Sequence, residues 1–168
     1  MIQLHKYIHS LIILLILSTP SLGQENYSKK NILSDLDYLK SSLEQAHYDL
    51  YAYTSKKAFN DNFELIKSSV IDDSISILQA TSLFQQVISK ANNGNTEIDF
   101  PGSAYLDYAY GGGTLFPLEL VFENGKTLIR KSWSEQFDLP IGTEIVKING
   151  RPIQHILESM YPHISAER

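Results

Sequence analysis

Hydrophobic residues recur every three or four positions between residues 36 and 91, and beyond that the period shortens towards two. Leu36, Leu39, Leu43, Ala46 and Leu50 fall on one face. Phe59, Phe63, Ile66 and Val70 make a second, and Leu78, Thr81, Phe84, Ile88 and Ala91 a third. Such spacing stacks side chains on one side of a 3.6-residue helix, so three helices are predicted. The first starts near Ser34, where Asp37 three residues on approximates a capping box. The second starts near Ser55 and the third runs from about Ser76 to Ala91, where Asn92-Asn93-Gly94 supplies residues that tolerate a left-handed cap. Residues 24–31 are polar, and 24–33 are expected to form a flexible leader.

After Gly94 the pattern alternates. Thr96 to Phe100 predicts a short strand stopped by Pro101-Gly102, followed by a loop rich in Tyr and Gly through Gly111–Gly113. Two strands, Thr114 to Phe122 and Thr127 to Trp133, flank Asn124-Gly125, a pair suited to a primed hairpin turn. A last strand, Thr143 to Ile148, ends at Asn149-Gly150, and Pro152 opens a helix over Ile153 to Met160. The expected fold class is α+β. A helical domain over 34–95 is joined through 96–109 to a β-rich module over 110–161, with 162–168 a frayed C-terminus. That module has about 50 residues, short of comfortable independent stability, so it is expected to lean on the helices through Phe116, Leu118, Ile129, Ile145 and Ile148.

The first 23 residues follow a different rule. Lys6 precedes an unbroken apolar run, Leu11 to Leu17, then Pro20 and the small-residue site Ser21-Leu22-Gly23. The apolar run is too short for a bilayer that takes about 20 residues to cross. The segment therefore predicts an export signal cleaved after Gly23, a periplasmic or secreted protein, and no stable membrane anchor afterwards.

Composition narrows the chemistry. Hydrophobic residues at 43% support a packed core. A net charge of −5 without a basic stripe argues against nucleic acid as a partner. With no Cys there are no thiolate metal sites and no thiol nucleophile. His47, His155 and His163 lack helical zinc-protease spacing, so no metal or cofactor is expected. Asp72-Asp73 and Asp35/Asp37 suit a solvated or helix-capping role. The glycines at 111–113 precede a β pattern rather than a helix, which favours a tight turn or close backbone approach over a phosphate cradle.

Three stretches in order carry a resemblance. Ser34 to Leu39 with His47-Tyr48-Asp49-Leu50-Tyr51 is similar to the "His-Pro-x-Leu-Tyr" helix end of bacterial C-terminal-processing (tail-specific) serine peptidases. Ile88 to Thr96 is similar to that family's "Gly-Asp-Gly-His-Thr" turn, with Asn93 in place of the Asp and Asn95 in place of the His. Leu139 to Ile153 resembles a PDZ signature, a strand ending in Asn-Gly before a helix. The resemblance implies the helical domain plus PDZ-like module of an exported serine peptidase. The family's Ser nucleophile and Lys base lie in a later domain, so this chain is expected to be inactive alone, with no catalytic residues. Ser165-Ala166-Glu167 does not qualify as a nucleophile motif, because no base or oxyanion site accompanies it. The implied partners are polypeptide C-termini or unfolded protein. By the same resemblance, Gly111, Gly112, Gly113, Thr114, Leu115 and Phe116 would hold a peptide carboxylate, and Ile153, Ile156, Leu157 and Met160 would wall the groove. The alternative is a stand-alone exported module that binds peptides or proteins and has no peptidase role.

Overall fold

The computed structural model describes residues 26–134 and 139–166. The export signal expected over residues 1–23 lies outside them. The architecture is mixed α+β, with five α-helices and three separate two-stranded antiparallel sheets among the described residues.

The chain opens with β1 (Asn26–Ser28), then α1 (Lys29–Ala46), α2 (Lys56–Ser69), β2 (Ser74–Ser76) and α3 (Ile77–Ser89). Three serines start the three helices. Ser28 accepts a hydrogen bond from the Asn31 N–H, and Ser55 from that of Ala58. Ser76 and Gln79 complete a reciprocal capping box. Each cap satisfies an amide the helix cannot, worth about 1 kcal/mol. The predicted starts at Ser55 and Ser76 agree with this. The first helix is capped by Ser28, six residues before Ser34, because Ile32 extends the apolar face backwards and is buried. The expected leader is likewise structured from residue 26, since β1 pairs with β2, Tyr27 opposite Ile75.

One core holds this half together. Ile32 and Leu36 of α1 meet Phe59, Phe63 and Ile66 of α2 and Val87 of α3. The polar faces add cross-links: Lys67 to Asp37 at 2.7 Å, and the Asn62 side-chain amide donating to the Gln86 carbonyl at 3.0 Å.

Beyond Asn92, in left-handed backbone at φ 53, the expected strand over 96–100 does not form. Alternation alone made that prediction, and no neighbouring segment pairs with it among the described residues. The Tyr- and Gly-rich stretch is helical instead, as α4 (Gly102–Tyr110), with no buried residue to betray it in the sequence.

β3 (Leu118–Glu123) and β4 (Lys126–Ser132) form the expected hairpin, with Asn124 and Gly125 at φ 51 and 75. Residues 143–145 lie along the other edge of β4, with Ile145 N–H to the Thr127 carbonyl at 2.8 Å. β5 (Lys147–Ile148) and β6 (Arg151–Pro152) turn through Asn149-Gly150 into α5 (Ile153–Met160). A 3-10 turn, Tyr161–His163, follows.

The helical core includes none of Phe116, Leu118, Ile129, Ile145 and Ile148, the residues expected to join the halves. The junction is a polar strap over 161–165 lying along α3. Ser82 Oγ is 2.9 Å from His163 Nε2, and the Ser89 hydroxyl donates to the Pro162 carbonyl. The Gln85 amide donates to the His163 carbonyl at 3.1 Å, while its oxygen accepts the Ile98 N–H at 2.9 Å. Residues 162–166 are therefore not frayed.

Candidate functional site

The glycine segment serves itself. The N–H groups of Gly111 and Gly113 donate to the Asp107 and Tyr108 carbonyls, both at 2.9 Å, and that of Gly112 to Ala109 at 3.3 Å. The Thr114 N–H donates to the Tyr108 hydroxyl at 3.1 Å. The amides of residues 111–114 are thus committed to closing α4, and the carboxylate cradle expected there is not formed. Gly113 is instead a close approach, as its backbone setting suggested. A Cβ there would fall 2.3 Å from the Tyr108 ring.

The predicted groove wall fares differently. Ile153, Leu157 and Met160 line an apolar groove of about 640 Å³, while Ile156 does not. Ile145, Val146 and Phe122 face them from the strand side, a wall the sequence reading assigned to residues 111–116, none of which lines the groove. The alternation at Thr143 to Ile148 predicted a strand but not its neighbour, and its pairing with β4 is what makes it the wall. The Ile153 N–H donates to the Val146 carbonyl at 2.9 Å, fixing the start of α5 against the strand. Lys126 and Glu144, 3.5 Å apart, stand on the rim. Phe122, Val146 and Met160 are each more than half exposed. Large apolar side chains converging at such exposure mark a surface suited to an apolar ligand.

A second cluster gathers around His47. His47 ends α1 and is half-buried. Its Nδ1 accepts the Asp49 N–H at 3.2 Å. Its Nε2 is 3.3 Å from both Asn93 Nδ2 and Thr96 Oγ1. The helix end and the Asn-rich turn, separated by some 46 positions in sequence, thus meet through one imidazole. Of the other histidines among the described residues, His163 is half-buried in the strap and His155 is exposed.

Nearby, the Tyr51 hydroxyl donates to Glu44 Oε1 at 2.6 Å. Burial, then the Glu44 hydrogen bond, pushes the Tyr51 phenol up to about 12. The same hydrogen bond, helped by Lys56 and Lys40, holds the Glu44 carboxyl below its ordinary value.

Ser165 is no nucleophile here. Its hydroxyl donates to the Thr96 carbonyl at 2.7 Å and accepts from Gln85, so its proton is held by an oxygen that cannot act as a base. Asp35, Asp37, Asp72 and Asp73 are exposed. Among the described residues no group of three His, Cys, Asp or Glu side chains could hold a metal, and no helix is long and apolar enough to cross a membrane. Compared with known proteins, the chain matches no family model, no curated protein and no solved structure.

Proposed function

We propose that this chain is the non-catalytic N-terminal part of an exported tail-specific serine peptidase, and that its PDZ-like module holds the apolar end of an extended polypeptide. The groove between residues 144–146 and α5 carries this reading, since it offers a strand beside an apolar helix face. The meeting of His47 with Asn93 and Thr96 supports the family assignment, because two of the three resembling stretches become one cluster. With the glycine amides committed elsewhere, Lys126 on the rim is the charge that would meet a terminal carboxylate.

The test is titration with an apolar C-terminal peptide and its amidated twin. Amide shifts should concentrate at residues 144–146 and 153–160, and the free acid should bind more tightly. Lys126→Gln should abolish the difference between the twins. Equal binding of both would favour the second reading, a stand-alone exported module that captures apolar segments without reading their ends. Silence at the groove would remove both. The purified chain should also leave an unstructured reporter uncut, and cleavage lost on Ser165→Ala would overturn the non-catalytic assignment.

A further inference from the structure

We propose that Asn93 is a self-modifying residue, converted to aspartate or isoaspartate by attack of its own chain, with His47 as the group that promotes the reaction. An Asn-Gly step carries the necessary atoms. The Gly94 backbone nitrogen attacks the Asn93 side-chain carbon, giving up its proton to solvent. The bond from that carbon to Nδ2 then breaks, and Nδ2 leaves with a solvent proton as ammonia. Water opens the resulting succinimide ring at either carbonyl, so the net change is asparagine plus water to acid plus ammonia.

Three requirements of this chemistry meet at residue 93. The attacking nitrogen must be unobstructed, and Gly94 is exposed and has no Cβ. The side-chain oxygen gains negative charge, and the Asn95 N–H already donates to Asn93 Oδ1 at 2.9 Å, the geometry of an oxyanion donor. The departing nitrogen must be stabilised as it becomes pyramidal. His47 accepts the Asp49 N–H at Nδ1, which assigns the proton of the neutral ring to Nε2. That N–H lies 3.3 Å from Thr96 Oγ1, which can accept it, and equally 3.3 Å from Asn93 Nδ2. In the planar amide this contact sets a donor against a donor, since the amide nitrogen has no free lone pair. Attack at the carbonyl carbon makes Nδ2 pyramidal and gives it that lone pair. The mismatch then becomes a hydrogen bond, an interaction made in the transition state and absent before it.

The chain carries its own controls. Asn124-Gly125 and Asn149-Gly150 are the same dipeptide in hairpin turns, with the asparagines at φ 51 and 50. Neither asparagine is hydrogen-bonded to a histidine among the described residues. The purified protein, aged at neutral pH in heavy-oxygen water and digested, should show acid at residue 93 accumulating about tenfold faster than at 124 or 149. His47→Ala should slow residue 93 by about tenfold or more and leave the other two unchanged. Gly94→Ala is a second variant, and the backbone leaves room for its side chain. Its Cβ would meet only the Ser165 carbonyl at 3.9 Å, an ordinary contact, and it should block conversion at 93. Should His47→Ala unfold the chain, all three sites would change together, and the Gly94→Ala comparison would decide. Conversion at 93 no faster than at the two hairpins overturns the proposal, as does a rate that a folded His47→Ala protein leaves unchanged.

Discussion

The two halves of the molecule are built on opposite economies of burial. Residues 26–91 enclose a single cluster of eleven buried apolar side chains drawn from three helices, one strand and the connecting turns. In the β-containing half the one hydrophobic residue buried to the same degree is Ile129, beside a buried Thr127, among the described residues. Half-exposed apolar side chains gather at the groove instead. A core withdrawn from water stabilises a fold; apolar surface left at the boundary is available to a ligand. The helical half is therefore the foundation, and the hydrogen bonds of the strap tie the other half to it.

The contrast is broken most severely at Phe63, 2% exposed at the centre of the cluster. Phe63→Ala should cost about 3–5 kcal/mol and unfold both halves in one transition, measured by chemical denaturation. Ile129→Ala removes the one deeply buried apolar side chain of the β-containing half among the described residues. It should cost about 2–3 kcal/mol, seen as lost amide protection across β3 and β4 while α1 to α3 keep theirs. Gln85→Ala cuts the strap at its centre. The loss should be about 1–2 kcal/mol, with faster exchange at residues 161–165 and an undisturbed helical core.

The smallest effect sharpens the comparison with pH. Tyr51 is raised, so the folded chain holds its phenolic proton more tightly than the unfolded one. Its contribution is complete below the ordinary value near 10 and fades as the pH climbs towards about 12. Glu44 is lowered, so its contribution is present above the ordinary carboxyl value and fades as the pH falls through the depressed one. Ultraviolet titration should show a late tyrosine ionisation near pH 12 that Tyr51→Phe removes.

Where structure follows from neighbours in the chain, the sequence disclosed it. Ser55 and Ser76 as caps, Asn124-Gly125 as a primed turn and Pro152 ahead of α5 all act within a few residues. Where it depends on distant partners, the pattern misled. Residues 96–100 alternate yet find no partner strand, whereas Asn26–Ser28 is too short to show a period and pairs with Ser74–Ser76 across the whole of α1 and α2. The groove was half legible. The resemblance to a PDZ signature pointed to Ile153, Leu157 and Met160, and wrongly to Ile156, but the opposite wall depended on which strand lies beside β4. The strap was invisible, being polar side chains bonded to carbonyls with no period to read.

That strap also fixes the route by which the chain can assemble. The Ser89 hydroxyl and the Pro162 carbonyl are 73 positions apart, so the contact closes a long loop containing α4, both hairpins and α5. The contacts of α1 to α3 span shorter stretches, from 30 positions for Asp37 and Lys67 to 48 for Tyr27 and Ile75, and form ahead of such closures. Seen as topology, the β-containing half is an excursion from the helical body, leaving after α3 and returning to it along the same helix. Closure entropy rises only slowly with loop length, about 0.6 kcal/mol per doubling. The groove-bearing excursion can accordingly gain or lose residues at its turns with little consequence for the body that anchors it, provided that the strap still reaches Gln85.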